Sequence, residues 1–234
     1  MTDNAVYLQP AFVLQHRPFK ESSLIIDLFT LDFGRVTLMA KGVRKTKSKS
    51  AAYLQPFIPL LISYIGKAEF KTLTHVEARQ VVPPLQGLAL YCGFYVNELI
   101  SGLLHPHDPH PEVFSLYDEC LARLKTSPSI AAELRIFELA LLEAVGYGLP
   151  LEVDDREQSI HADGKYHFHA EFGASAAIDG PYSGTTLLAL KSRDFSNPQA
   201  LLEAKHLMRS VIAAHLQAKP LKSRAIISKI IKNL

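Results

Sequence analysis

The chain has 234 residues, of which 48% are hydrophobic and 21% charged, and its formal net charge is only +2. This length fits one large or two small domains, and the composition is typical of a globular protein. The absence of an apolar run of about 20 residues argues against a membrane span, the polar N-terminus does not resemble a secretory signal, and two cysteines, Cys92 and Cys120, argue against a disulfide framework. These features favour a protein of the reducing cytoplasm.

Residues 10–80 show the pattern of β structure. Apolar runs are separated by turn residues such as Asp32-Phe33-Gly34, and they predict about five strands. The strand-like runs cover residues 11–14, 22–30, 35–40, 57–64 and 69–76. Their number and size suit a small Greek-key barrel of the OB type. We therefore predict an OB-fold domain in residues 1–82.

Beyond Pro83-Pro84 the apolar residues recur with a helical period. Helices are predicted at residues 85–103, 112–125, 130–145, 184–191, 198–216 and 222–231. Prolines make residues 105–111 a loop. Residues 150–182 form an irregular insert with seven acids and two bases, and with a hairpin around 165–172. The expected fold class is α+β, in which the barrel is followed by a mainly helical domain at 83–234.

The most basic part of the chain is the stretch 41–49, which leaves the end of a predicted strand. Five of its nine residues are Lys or Arg, and no acid occurs between Phe33 and Ala68. Such cations release counterions when they bind a phosphate backbone, and loops between OB strands hold nucleic acid in this way. A solvated charge run is the alternative. The expected nucleic-acid contacts are Arg35, Lys41, Arg44, Lys45, Lys47 and Lys49, with Tyr53 as a ring for base stacking and Phe57 as a core residue.

A second basic region lies near the C-terminus, where residues 204–234 contain no acid. The segment Lys219-Pro220-Leu221-Lys222-Ser223-Arg224 could form another nucleic-acid surface through Lys219, Lys222 and Arg224. The alternative is a capped helix start with solvated lysines. Two separate basic surfaces would let one protein hold two nucleic-acid strands.

Several short motifs follow one another in order along most of the chain. They include Arg17-Pro18, Gly34-Arg35-Val36, Ala40-Lys41-Gly42-Val43-Arg44, Leu54-Gln55-Pro56-Phe57, Tyr95-Val96-Asn97-Glu98-Leu99, Leu134-Arg135 with Phe137-Glu138-Leu139, and Lys219-Pro220-Leu221-Lys222-Ser223-Arg224. This ordered set resembles the bacterial RecO family of recombination mediators. No single motif is diagnostic, whereas the set is specific.

The resemblance implies a function as well as a fold. It implies an N-terminal OB domain, a C-terminal helical domain, binding to single- and double-stranded DNA, and annealing of complementary strands. It further implies contact with RecR and with the C-terminal tail of the single-stranded DNA-binding protein, so that RecA is loaded, in association with the nucleoid. Some family members carry a four-cysteine zinc module in the helical domain. This chain has no cysteine after Cys120, so that metal site is not expected here.

The resemblance also implies a partner site on the third predicted helix. Arg135 would receive the terminal carboxylate of the partner's tail, because arginine can hold a carboxylate with two hydrogen bonds. The neighbouring apolar residues Leu134, Phe137 and Leu141 would take its hydrophobic side chain. The alternative is a weak surface ion pair between Arg135 and Glu138, three residues further along the helix.

Two other functions remain open at this point. A metal-dependent nucleic-acid-processing enzyme could use the histidine-rich segments His105-Pro106-His107-Asp108-Pro109-His110 and His161 to His169, although a polar loop and a solvated hairpin are the preferred interpretations. The second open function is an RNA-binding OB module, because backbone and stacking contacts discriminate poorly between ribose and deoxyribose. No phosphate-binding or nucleophile-elbow motif occurs. We expect no catalytic residue, metal or cofactor, and no membrane association.

Overall fold

The computed structural model describes residues 5–45, 50–66, 71–216 and 220–232. The chain divides into two compact units. The first runs up to Leu121 and includes the C-terminal segment from Leu221, and the second runs from Ala122 to Pro220. These units follow packing, whereas the predicted boundary after residue 82 follows a change of hydrophobic period. The division into 1–82 and 83–234 therefore stays a prediction.

Five strands of the first unit close into a barrel. They are β1 (Ala5–Phe19), β2 (Ser23–Thr30), β3 (Gly34–Ala40), β4 (Leu60–Ile65) and β5 (Lys71–Ala78), and their order is β1-β2-β3-β5-β4. The β3–β5 pairing is parallel, through Leu38 with Lys71 and Met39 with Thr72, and the other pairings are antiparallel. The short helix α1 (Ser50–Tyr53) lies between β3 and β4. This barrel, followed by mostly helical structure, confirms the predicted fold class.

The strand β2 is buried on both of its faces. This explains why apolar and polar residues do not alternate regularly in its sequence. Residues such as Ile26 and Leu28 fill the barrel. On the other face Phe29, together with Phe12 of β1, meets two rings of α3 (Pro111–Thr126), Phe114 and Tyr117. In the four pairs that join a strand ring to a helix ring, the centroids lie 5.0 to 6.0 Å apart, within the range of favourable aromatic pairs. A half-exposed strand would alternate, whereas this strand is covered by a helix.

A buried polar network fastens the helix α2 (Gly87–Leu103) to the barrel. The Asn97 side-chain amide donates to the Leu14 carbonyl of β1 over 2.8 Å, and the Tyr117 hydroxyl donates to Asn97 Oδ1 over 2.6 Å. Burial raises the pKa of Tyr117 well above its usual value, so the hydroxyl keeps its proton and acts as the donor. The network pairs polar groups that would otherwise be costly to bury.

The predicted loop at 105–111 separates α2 from α3 and packs on the barrel. The His107 amide donates to the Arg35 carbonyl of β3 over 2.9 Å. Gly34 has φ +60°, and a Cβ at this position would overlap the Asp108 backbone. A glycine is therefore required where the loop meets β3.

The second unit combines helices with a small sheet. Its helices are α4 (Ile130–Ala144), α5 (Gly184–Ser192) and α6 (Pro198–His215), and its strands are β6 (Lys165–His169), β7 (Gly173–Ala176) and β8 (Tyr182–Ser183). The hairpin predicted around 165–172 is confirmed as β6–β7, and β8 adds a third strand to the order β7-β6-β8. The helix starts agree with local capping chemistry, because Ser129 caps α4 and Asn197, followed by Pro198, caps α6.

One carboxylate of α6 joins three polar groups at the start of α5. Glu203 Oε2 accepts from the Ser183 amide (2.8 Å), the Ser183 hydroxyl (2.8 Å) and the Thr186 hydroxyl (2.7 Å). Burial by itself would raise the pKa of Glu203, but hydrogen bonds from Ser183, Thr186 and Gln199 outweigh it and lower the pKa to about 2. The charged form is therefore the one that the fold stabilises.

This lowered pKa predicts an acid-sensitive contribution to stability. Since the folded pKa of about 2 lies below the usual value of 4.5, the contribution is present above about pH 4.5 and is lost as the pH falls towards 2. Urea unfolding of the unchanged chain and of Glu203→Gln at pH 7 and pH 3 would measure it. We expect a smaller loss of stability with acid in Glu203→Gln. Glu152→Gln, which removes an exposed carboxylate of the same unit, serves as the control, and an equal acid loss in all three proteins would contradict the prediction.

Candidate nucleic-acid interface

The basic turn, residues Lys41–Lys45, leaves the end of β3 and is anchored by its own central residues. Gly42 has φ +71°, and the Lys45 amide donates to the Gly42 carbonyl over 3.2 Å. The Val43 side chain is only 6% exposed and belongs to the barrel core. Lys41, Arg44 and Lys45 are exposed. The buried valine thus holds the turn in place while its cations point to solvent. The predicted contacts Lys47 and Lys49 lie outside the described residues.

A second turn, between β1 and β2, lies beside the basic turn. The Arg44 amide donates to the Ser22 carbonyl (2.9 Å), and its guanidinium donates to the Lys20 carbonyl (3.1 Å). Lys20 is exposed, so it adds a fourth cation to the same end of the barrel. An acid, Glu21, occupies this turn as well. Such a group of cations can bind phosphates without reading bases.

Lys20 was missed in the sequence because it stands alone between Phe19 and Glu21. A signal was nevertheless present in the strand order. In an antiparallel β1-β2-β3 meander, the end of β1 and the end of β3 both lie at the start of β2. The observed register has this form, with Phe19 opposite Ser23 and Leu24 opposite Ala40. Residues that follow β1 and β3 therefore come together.

The aromatic residues of the first unit differ in exposure. Tyr53, at the end of α1, is 38% exposed and remains available for base stacking. Phe57 is buried, as expected, and its ring packs edge-on against Phe94 of α2 with centroids 5.1 Å apart. Phe33 is exposed at the β2–β3 turn and meets the buried Tyr64 ring edge-on.

Arg35 has its side chain engaged within the fold. Its Nη1 donates to the carbonyls of Ser101 and Leu104, each over 2.7 Å, at the C-terminal end of α2. Burial lowers the pKa of Arg35, and Asp27 acts in the opposite direction. A cation is favourable at the negative end of a helix, so this contact fastens α2 to the barrel. This role of Arg35 differs from the predicted phosphate contact, because the guanidinium Nη1 donates to backbone carbonyl groups of the fold.

The C-terminal basic segment belongs to the first unit, as the barrel does, from Leu221 onward. The helix α7 (Lys222–Lys232) begins at Lys222, whose side chain is exposed. Arg224 is half-buried and donates to the Tyr95 hydroxyl of α2 over 3.2 Å. The start of α7 is capped by Glu98 of α2, whose carboxylate accepts from the Lys222 and Ser223 amides. The third predicted contact, Lys219, lies outside the described residues.

The Arg135 site is a buried ion pair. Arg135 Nε donates to Glu138 Oε2 over 2.7 Å, and a second short bond joins Nη2 to Oε1. The Arg135 and Glu138 side chains are 6% and 0% exposed. The ion pair that was the alternative interpretation is therefore present, but it lies in the interior and not at the surface. The apolar neighbours Leu134, Phe137 and Leu141 are buried as well. Capture of a tail carboxylate by Arg135 stays a prediction.

The histidine-rich segments form ordinary polar contacts. His110 lies 3.2 Å from both Asp108 and Glu112, and His169 stacks on Phe172. In residues 5–45, 50–66, 71–216 and 220–232, no group of three or more His, Cys, Asp or Glu side chains could hold a metal ion. In the same part of the chain no helix is both long and apolar enough to cross a membrane.

Comparison with known proteins identifies the family. Residues 2–82 match the family model described as recombination protein O, N terminal, and residues 84–225 match recombination protein O, C terminal. The DNA repair protein RecO of Methylococcus capsulatus is 45% identical over 224 residues, which cover 94% of this chain and 93% of that relative. The proteins of the same name from Alkalilimnicola ehrlichii (42%, covering 97% and 92%) and Haemophilus influenzae (40%, covering 95% and 96%) are also similar. The chain therefore belongs to the RecO family of DNA repair proteins.

Proposed function

We propose that this protein is a non-catalytic recombination mediator that binds single- and double-stranded DNA without sequence specificity and anneals complementary strands. The observation that carries the proposal is the basic turn, where buried Val43 holds exposed Lys41, Arg44 and Lys45 at one end of the barrel. Ammonium and guanidinium groups on such a turn contact phosphates, which occur in every sequence. Exposed Tyr53 adds a ring on which any base can stack.

Annealing needs a place for each of two strands. The basic turn would hold one strand and the start of α7, through Lys222, would hold the other. Support for this arrangement comes from the packing of both regions in the first unit, so that one compact unit presents two basic surfaces. Arg224 contributes less in this proposal, because its guanidinium already contacts Tyr95.

The proposed partners follow from family membership. RecR and the C-terminal tail of the single-stranded DNA-binding protein would bring the protein to covered single strands, and RecA would then be loaded on them. The tail would bind near Arg135, and the place of action would be the nucleoid in the cytoplasm.

A strand-annealing assay tests this function. Complementary oligonucleotides, one labelled with a fluorophore and one with a quencher, are mixed with the protein at two salt concentrations, with and without single-stranded DNA-binding protein. We expect faster annealing than without protein, persistence on covered strands, and a rate that falls with salt. RNA oligonucleotides in the same assay address the RNA-binding alternative. Annealing no faster than the protein-free rate would reject the proposal.

A further inference from the structure

The last helix of the chain begins on a carboxylate supplied by a different helix. Glu98 of α2 accepts from the Lys222 amide at 3.2 Å, from the Ser223 amide at 3.0 Å and from the Ser223 hydroxyl at 2.5 Å. The first turn of α7 contains no acidic residue. A carboxylate at a helix start satisfies free amides and complements the helix dipole. Glu98 therefore caps α7 from 124 residues away in the sequence.

A second residue on the same face of α2, Tyr95, completes the contact. Tyr95 precedes Glu98 by about one turn, and Tyr95 is only 2% exposed. The Arg224 guanidinium lies 5.4 Å from the centre of that ring and donates to its hydroxyl. Residues i and i+3 of a helix lie on one side, so Tyr95 and Glu98 together receive residues 222–224.

The helix α7 is short and intrinsically weak, so a cap at its start is expected to contribute to its stability. It has 11 residues, and its sequence includes four isoleucines and two serines. Isolated helices shorter than about 12–15 residues are marginal in water, and β-branched residues and serine are poor helix formers. Between α2 and α7 the chain passes through the whole second unit. Docking on α2, where Glu98 caps its start, places α7 in the same unit as the barrel.

We propose that Glu98 is a positioning residue for DNA annealing, which fixes Lys222 and the rest of α7 on the unit that carries the basic turn. This inference rests on the proposed function, in which α7 holds the second strand. Two surfaces attached to one unit can present two strands in a constant geometry, whereas a detached basic tail binds DNA without aligning it. Glu98 itself, being anionic, has no attraction for phosphate.

The test compares Glu98→Gln and Ser223→Ala with the unchanged chain. Glu98→Gln removes the charge from the cap and Ser223→Ala removes the hydroxyl bond from the other side, so either variant reports on the contact if the other folds poorly. Glu112→Gln is the matched control, because the substitution removes the same charge from the same unit. The Glu112 carboxylate is exposed and contacts His110. Hydrogen exchange of the α7 amides, single-strand affinity and annealing rate are measured for each full-length protein.

We expect α7 exchange to rise by roughly 2- to 30-fold in both variants, the range for loss of a helix cap, with barrel exchange unchanged. The annealing rate should fall by a factor within the same range, roughly 2- to 30-fold, while the affinity for single-stranded DNA is retained. The direction is informative, because losing a carboxylate makes the protein more positive and would by simple electrostatics strengthen DNA binding. Glu112→Gln should leave both annealing and α7 exchange unaltered.

Two results would overturn the inference, and they are separable from failure of the proposed function. Unchanged α7 exchange in Glu98→Gln and Ser223→Ala would show that Glu98 does not hold the helix. Raised exchange with normal annealing would show that the position of α7 is irrelevant. In that second case Lys222→Glu decides what has failed: slower annealing in Lys222→Glu rejects the positioning role alone, and normal annealing rejects the second-strand surface as well.

Discussion

Replacing Arg44 and Lys45 together by alanine should weaken binding to single-stranded DNA and reduce its dependence on salt. If about five phosphates are neutralised by the stretch 41–49, log affinity falls against log salt with a slope near −3.5, at roughly 0.7 per phosphate. Loss of two contacts should bring the slope to about −2.1. The weakening should be larger at low salt than at high salt. Fluorescence anisotropy with a labelled oligonucleotide at several salt concentrations measures both quantities.

A control variant separates local contact from overall charge. Arg156→Ala with Lys191→Ala removes two exposed cations from the second unit and lowers the net charge equally. It should leave the slope near its original value. The midpoint temperature of thermal unfolding should change little in the Arg44 and Lys45 variant, since the hydrogen bond from the Arg44 side chain to the Lys20 carbonyl is exposed. An unchanged salt slope in that variant would remove the basic turn from the DNA site.

Replacement of Arg135 by alanine should lower the free energy of unfolding by about 3–5 kcal/mol. The reason is that Glu138, whose side chain is 0% exposed, would keep a buried charge without this guanidinium. Urea unfolding at pH 7 gives the value. Arg193→Ala is the matched control, because Arg193 pairs with Glu143 at the surface of the same unit and exposed pairs contribute about 0–1 kcal/mol. Similar losses in the two variants would contradict a structural role for the buried pair.

This stability effect determines how the predicted tail site has to be tested. A loss of tail binding in Arg135→Ala could result from unfolding alone. Glu138→Gln is more informative, because it removes an internal competitor for the guanidinium while a side chain of the same shape remains. If Arg135 receives the tail carboxylate, a labelled tail peptide should bind more tightly to Glu138→Gln. Weaker or equal binding in a folded Glu138→Gln protein would argue against that role.

Much of the architecture could be predicted because it depends on local pattern. The barrel strands, the loop at 105–111 and the helices from α2 to α7 follow from hydrophobic period, prolines and caps within a few residues of each other. The basic turn could be recognised in the same way, since its cations lie within five residues of the sequence and Gly42 permits the tight turn. What these patterns could not show is which exposed or charged residue meets a distant one.

The amino-acid sequence by itself determined the fold class, the family and the position of the basic turn, since all three depend on the order of residues and on short-range pattern. Only the tertiary structure decided the partners of individual charges. It places Lys20 beside Arg44, engages Arg35 with the end of α2, buries Arg135 with Glu138, and docks α7 on α2 through Glu98. Burial and hydrogen bonding set the free energy of a charge, and for Arg35 and α7 they arise from packing between segments 66 to 125 residues apart. A charge seen in sequence can therefore be a surface contact or an internal fastening, and its three-dimensional neighbours determine which.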